Sequence, residues 1–141
     1  MLDSSKMNER EMLAVAAEVG YSETAFLRPL GEREYSIRYF SPQAEVDFCG
    51  HATIAASVAL ADDRHGTGTL VLHSNVGVIP VEIEVRDGGW QATLTSVNPE
   101  VGALDALPEL LELLGWNTGD LDPALPTGVA FAGIWHPIIW A

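Results

Sequence analysis

The stretch Gly50-His51-Ala52-Thr53-Ile54-Ala55-Ala56-Ser57-Val58-Ala59-Leu60 reads as a helix, and the first charged residue after it is Asp62. A helix that is apolar on nearly every face has to be enclosed by protein, so the rest of the chain must wrap around it. Val46-Asp47-Phe48-Cys49 runs straight into it and reads as the end of a strand. The first turn of such a helix offers free backbone N–H groups and the positive end of the helix dipole, a natural seat for a carboxylate or phosphate. Gly50 lets a ligand come close to the backbone and His51 can hydrogen-bond it. Gly50-His51-Ala52-Thr53 also fits a tight strand-to-helix turn that holds a satisfied histidine.

Helix and strand signals alternate around this segment. Asn8 and Glu11 form a capping pair, Met12, Val15, Ala16 and Val19 recur on one helical face, and Gly20 ends the helix. Residues 21–27 and 35–40 read as strands joined through Pro29-Leu30-Gly31, with Tyr35, Ile37 and Tyr39 on one side. After a loop from Asp62 to Gly68, residues 69–73, 76–86 and 90–96 read as further strands, the last two joined by Asp87-Gly88-Gly89. Ile79, Val81, Ile83 and Val85 alternate with polar residues, which predicts one dry and one wet face. Leu107–Leu114 reads as a short amphipathic helix stopped by Gly115, Asp120–Pro126 as a linker, and Gly128–Ala141 as a markedly apolar tail. Strands, one enclosed helix and more strands predict an α+β fold, a mostly antiparallel sheet wrapped around a central helix.

Glu23, between small polar residues and the apolar Ala25-Phe26-Leu27, is either a solvent-edge carboxylate or one held in a protected cleft, where partial desolvation suits it to general acid–base work. Ser22-Glu23-Thr24-Ala25-Phe26, Arg38-Tyr39-Phe40-Ser41-Pro42, Glu45-Val46 and Cys49-Gly50-His51-Ala52-Thr53, in this order and spacing, together resemble the phenazine biosynthesis PhzF-like family. The resemblance implies a diaminopimelate-epimerase-like fold of two similar halves, each a sheet around a central helix, with the active site between them. It implies a cofactor-independent isomerase that moves a proton on a small amino- or hydroxy-acid and self-associates as a homodimer. It assigns Glu23 the role of general acid/base, and Gly50 and His51 the role of substrate contacts. Cys49 and Thr53 are further candidates. A Cys-Gly setting of this kind also resembles that of cysteine-dependent racemases and epimerases, which makes Cys49 an alternative base.

The chain departs from that family's pattern at both ends. Members begin with a strand and a glycine-rich loop, whereas this chain starts at Met1-Leu2-Asp3, where that strand would be ending. It stops at Ile138-Ile139-Trp140-Ala141, in what reads as the opening strand of a second half. The expectation is therefore a first domain over residues 1–126 without its initial strand, followed by a linker and the start of a missing domain over 127–141. A non-catalytic, truncated half-domain is the reading from a different class.

Composition removes other classes. A formal net charge of -13, from 20 acidic and 7 basic residues, repels nucleic acid and anionic membrane surfaces. No apolar run approaches the roughly 18 residues of a membrane span, and the N-terminus lacks a signal-peptide pattern. The single Cys49 allows no intramolecular disulfide, so the cytoplasm is the default compartment. His51, His65, His73 and His136 are scattered, none paired with another or with Cys49 at metal-ligand spacing, so no metal is expected. There is no Gly-x-Ser-x-Gly or nucleotide-binding loop.

Overall fold

The computed structural model describes residues 3–141. Met1 and Leu2, where the sequence reading places the end of a missing strand, lie outside the described residues. The chain divides into two compact units, residues 1–97 and 98–141, a division that lies upstream of residue 126.

In the first unit, α1 (Glu9–Val19) begins at a complete capping box. The Asn8 side chain accepts from the Glu11 amide at 3.1 Å, and the Glu11 carboxylate accepts from the Asn8 amide at 2.8 Å. It ends at Gly20, whose φ of 72° is the left-handed conformation that favours glycine. Met12 and Ala16 are buried as the periodicity predicts, whereas Val19, in the last turn, is exposed.

Strands β1 (Thr24–Pro29) and β2 (Glu34–Phe40) pair antiparallel, Thr24 opposite Phe40. The expected strand start at residue 21 is corrected by this register: β2 ends at Phe40, and Ser41 turns the chain by bonding Ala44, so Glu23 has no partner strand and stands in the loop just ahead of β1. A short β3 (Glu45–Val46) adds to the far side of β2, Val46 opposite Tyr39. Helix α2 (Gly50–Leu60) follows and continues into a π-helical turn over Ala61–His65, where a loop was expected. Arg33 holds that turn by donating to the carbonyls of His65, Thr67 and Thr69 at 2.8–3.1 Å.

Then come β4 (Gly68–Ser74), β5 (Gly77–Arg86) and β6 (Gly89–Leu94). The sheet order is β1-β2-β4-β5-β6. Every pairing is antiparallel except β2 with β4, which α2 connects as a crossover. The β5–β6 hairpin turns at Asp87 and Gly88, with φ of 52° and 80°, the left-handed pair such two-residue turns need. Ile79, Val81 and Ile83 are buried; Val85, beside that turn, is exposed.

Strands from the two ends of the order, β1 and β6, both contact α2, so the sheet curls around the helix. The larger core lies between them, built from Leu27, Tyr35, Ile37, Tyr39, Leu70, Leu72, Ile79, Val81 and Ile83 of the sheet with Ala52 and Leu60 of α2. A smaller core on the other face joins Met12 and Ala16 of α1 to Phe26 and Phe40, whose rings meet edge-on at 5.6 Å. The curled, mostly antiparallel sheet around a central helix is the fold class expected from sequence.

The second unit holds a three-stranded antiparallel sheet of β7 (Glu100–Gly102), β8 (Gly128–Phe131) and β9 (Trp135–Ile138), and the helix α3 (Leu107–Leu114). Gly115 ends α3 as expected. Among the described residues, no helix is long and apolar enough to cross a membrane.

Candidate active site

The register brings two distant segments to one end of the sheet. Thr24 lies opposite Phe40 and Val46 opposite Tyr39, so the residues just before β1 and just after β3 meet at the end of β2. Glu23 and Cys49, 26 positions apart, are thereby neighbours: Sγ lies 3.6 Å from Oε2. His51, in the first turn of α2, places Nε2 3.3 Å from the same Oε2, and its Nδ1 3.4 Å from Sγ. Glu23 is partly buried, Cys49 is buried, and the His51 side chain is 70% exposed.

Glu23 and His51 line an open cleft of about 630 Å³, whereas the buried Cys49 is not among its lining residues. One wall is the loop and strand Tyr21–Ala25; the other is the α2 face carrying Ala52, Ala55, Ala56 and Ala59. Full enclosure of α2 is thus corrected. Its inward face presents Ala52, Thr53, Ser57 and Leu60, whereas Ala55 and Ala59 are exposed along the cleft. The alanine spacing of three and four places these small side chains on one face, a signal that could have marked the open side in the sequence.

The thiol of Cys49 is pushed above its ordinary range by burial and by the adjacent Glu23 carboxylate, while the backbone amides of Ala52 and His51 pull the other way and lose. Gly50 leaves room for a ligand: a Cβ built there would meet only Phe48, at 3.9 Å. Thr53 faces the core. Its hydroxyl donates to the Cys49 carbonyl at 2.7 Å and meets the Tyr39 hydroxyl at 2.7 Å, so it braces the helix start and lies away from the cleft. Tyr39, to which the sequence reading gave no role at the site, is therefore the anchor of that start; burial raises the pKa of its hydroxyl to about 12.

The structure thus brings Glu23, Cys49, Gly50 and His51 together and turns Thr53 inward. A carboxylate and an imidazole within hydrogen-bonding reach, beside a helix N-terminus and an apolar cleft, can exchange a proton with a small acid held there. A divalent cation could also be held by Glu23, Cys49 and His51, whose donor atoms all lie within 4.8 Å of one another.

Among known proteins, the chain is 32% identical over 142 residues to the uncharacterized isomerase YfhB of Bacillus subtilis, covering 99% of this chain and 48% of that protein. The solved structure of a Bacillus anthracis phenazine biosynthesis protein of the PhzF family superposes with a TM-score of 0.75 at 29% identity, covering 99% of this chain and 48% of that one. A hydroxyproline epimerase from Agrobacterium vitis, solved with bound trans-4-hydroxy-L-proline, shares the fold at a TM-score of 0.61 and 19% identity, over 83% of this chain and 34% of its own. The chain spans about half the length of the curated relatives it matches. A family model described as phenazine biosynthesis-like protein matches residues 1–141, and the chain belongs to that PhzC-PhzF family.

Proposed function

We propose that this chain carries the proton-transfer residues of a cofactor-independent isomerase acting on a small amino- or hydroxy-acid. The observation that carries the proposal is Glu23 Oε2 at 3.3 Å from His51 Nε2, both residues lining the cleft between Tyr21–Ala25 and α2. Glu23 removes a proton from carbon and returns it elsewhere. Gly50 and His51 hold the substrate carboxylate, or the anion that develops from it, at the positive N-terminal end of α2. The isomerase names of the relatives support the reaction class, and the hydroxyproline seen in the Agrobacterium epimerase supports the size and charge of the ligand. A homodimer working in the cytoplasm, where Cys49 stays a thiol, completes the proposal.

Cys49 as the base is the second reading, favoured by its place 3.6 Å from Glu23. Its raised thiol and the lack of a second cysteine in the chain weigh against it. Deuterium uptake from solvent into a panel of small amino- and hydroxy-acids, followed by mass spectrometry, separates the readings. Glu23→Gln is expected to cut uptake by about 100-fold or more while ligand binding survives. Undiminished uptake in Glu23→Gln, with loss in Cys49→Ser, would transfer the role to the thiol.

A further inference from the structure

We propose that Glu23 Oε2, Cys49 Sγ and His51 Nε2 form a three-ligand site for a Zn²⁺-class divalent cation, and that its occupancy blocks proton transfer by Glu23. The binding stands apart from the isomerase reading; the block rests on it.

The geometry carries the proposal. The three atoms form a triangle with sides of 3.3 Å from Oε2 to Nε2, 3.6 Å from Nε2 to Sγ and 3.6 Å from Sγ to Oε2. A tetrahedral zinc ion with bonds of about 2.0–2.3 Å to oxygen, nitrogen and sulfur separates its ligands by about 3.3–3.6 Å. The three side-chain atoms therefore already have the spacing of one face of a tetrahedron, and two of the three residues, Glu23 and His51, line the cleft from which a fourth ligand would come. Three protein ligands and one open position make an exchangeable site, unlike the closed four-ligand sites of structural zinc.

The donors select the ion. Thiolate, imidazole and carboxylate suit Zn²⁺ or Co²⁺, whereas Mg²⁺ and Ca²⁺ seek oxygen ligands alone. On binding, the Cys49 S–H bond breaks, its proton passes to solvent and the sulfur pair forms the bond to the metal. Thiolate and carboxylate together then balance the two positive charges, and nothing is oxidised or reduced. Glu23 immediately precedes β1 and Cys49 caps the start of α2, while the His51 side chain, 70% exposed, has room to adjust onto the ion.

Titration of the full chain with Co²⁺ tests this through the near-ultraviolet band from thiolate to cobalt. One equivalent should develop the band with release of one proton, and Zn²⁺ but not Mg²⁺ should abolish it. Cys49→Ser should remove the band, and His51→Ala and Glu23→Gln should each weaken binding at least tenfold. His51 is exposed, so its variant keeps the fold, which circular dichroism verifies. Absence of the band in a large excess of Co²⁺, or unchanged midpoints in both His51→Ala and Glu23→Gln, overturns the site. The band is read without turnover, so failure of the isomerase reading would leave the cobalt result standing and remove only the block.

Discussion

Thr53 fixes the geometry at the tip of α2. Its side chain is fully buried, and its hydroxyl ties the Cys49 carbonyl to the Tyr39 ring of β2. Thr53→Val keeps the shape and removes the hydroxyl, so the Tyr39 hydroxyl is left buried without this partner, at a cost of about 1–3 kcal/mol. Urea denaturation should show that loss, and Thr53→Ser should recover most of it. An unchanged midpoint in the valine variant would mean that Tyr39 finds another partner. The sequence made Glu23, Cys49, Gly50, His51 and Thr53 visible as residue types suited to chemistry. Which of them face the cleft was harder to read, because α2 is apolar on nearly every side and only its alanine spacing distinguishes the open face from the inner one. The sequence could not show that Glu23 meets Cys49, which depends on the pairing of β1 and β3 with the same end of β2.

At the scale of elements, two segments quoted for the family resemblance do structural work. Arg38 on β2 donates to both carboxylate oxygens of Glu45 on β3, at 2.7 and 2.5 Å, and reaches Glu9 on α1 at 3.2 Å. Asn75, in the turn between β4 and β5, also donates to Glu45. These bonds, that from Arg38 first, hold the Glu45 carboxyl below its ordinary value of 4.5. A carboxyl depressed in the folded state adds stability that is complete above its unfolded pKa and fades as pH falls through the folded one. Lowering the pH from 6 to below about 4 should therefore destabilise the native chain by an increment that Glu45→Gln lacks. Arg38→Met should cost about 1–2 kcal/mol at neutral pH. Chemical denaturation at several pH values checks both, and parallel pH curves for the native chain and Glu45→Gln would refute the linkage. Local signals made the elements legible: the Asn8–Glu11 box, the glycine stops at 20 and 115, and the Asp87-Gly88 turn all act as their residue types require. The start of β1 was less legible, since only the partner strand decides where pairing ends.

At the scale of the whole chain, stability is concentrated in the first unit. Among the described residues, every buried apolar side chain except Leu111 lies within residues 1–97, and both core clusters are complete there. The second unit instead exposes Val101, Leu113, Trp135, Ile138 and Trp140. Segments with few buried apolar contacts open locally at low free-energy cost, whereas amides in a closed core open only with global unfolding. Hydrogen exchange should therefore be fast across residues 98–141 and slowest in β2, β4 and β5. It follows that a chain ending at Val97 should unfold in one cooperative transition, with a stability within about 0.5 kcal/mol of the full chain. It should also keep the cobalt band, because Glu23, Cys49 and His51 all belong to the first unit. If that shortened chain instead loses its cooperative transition, residues 98–141 contribute to the stability of the sheet around α2, and the concentration of stability in the first unit is refuted.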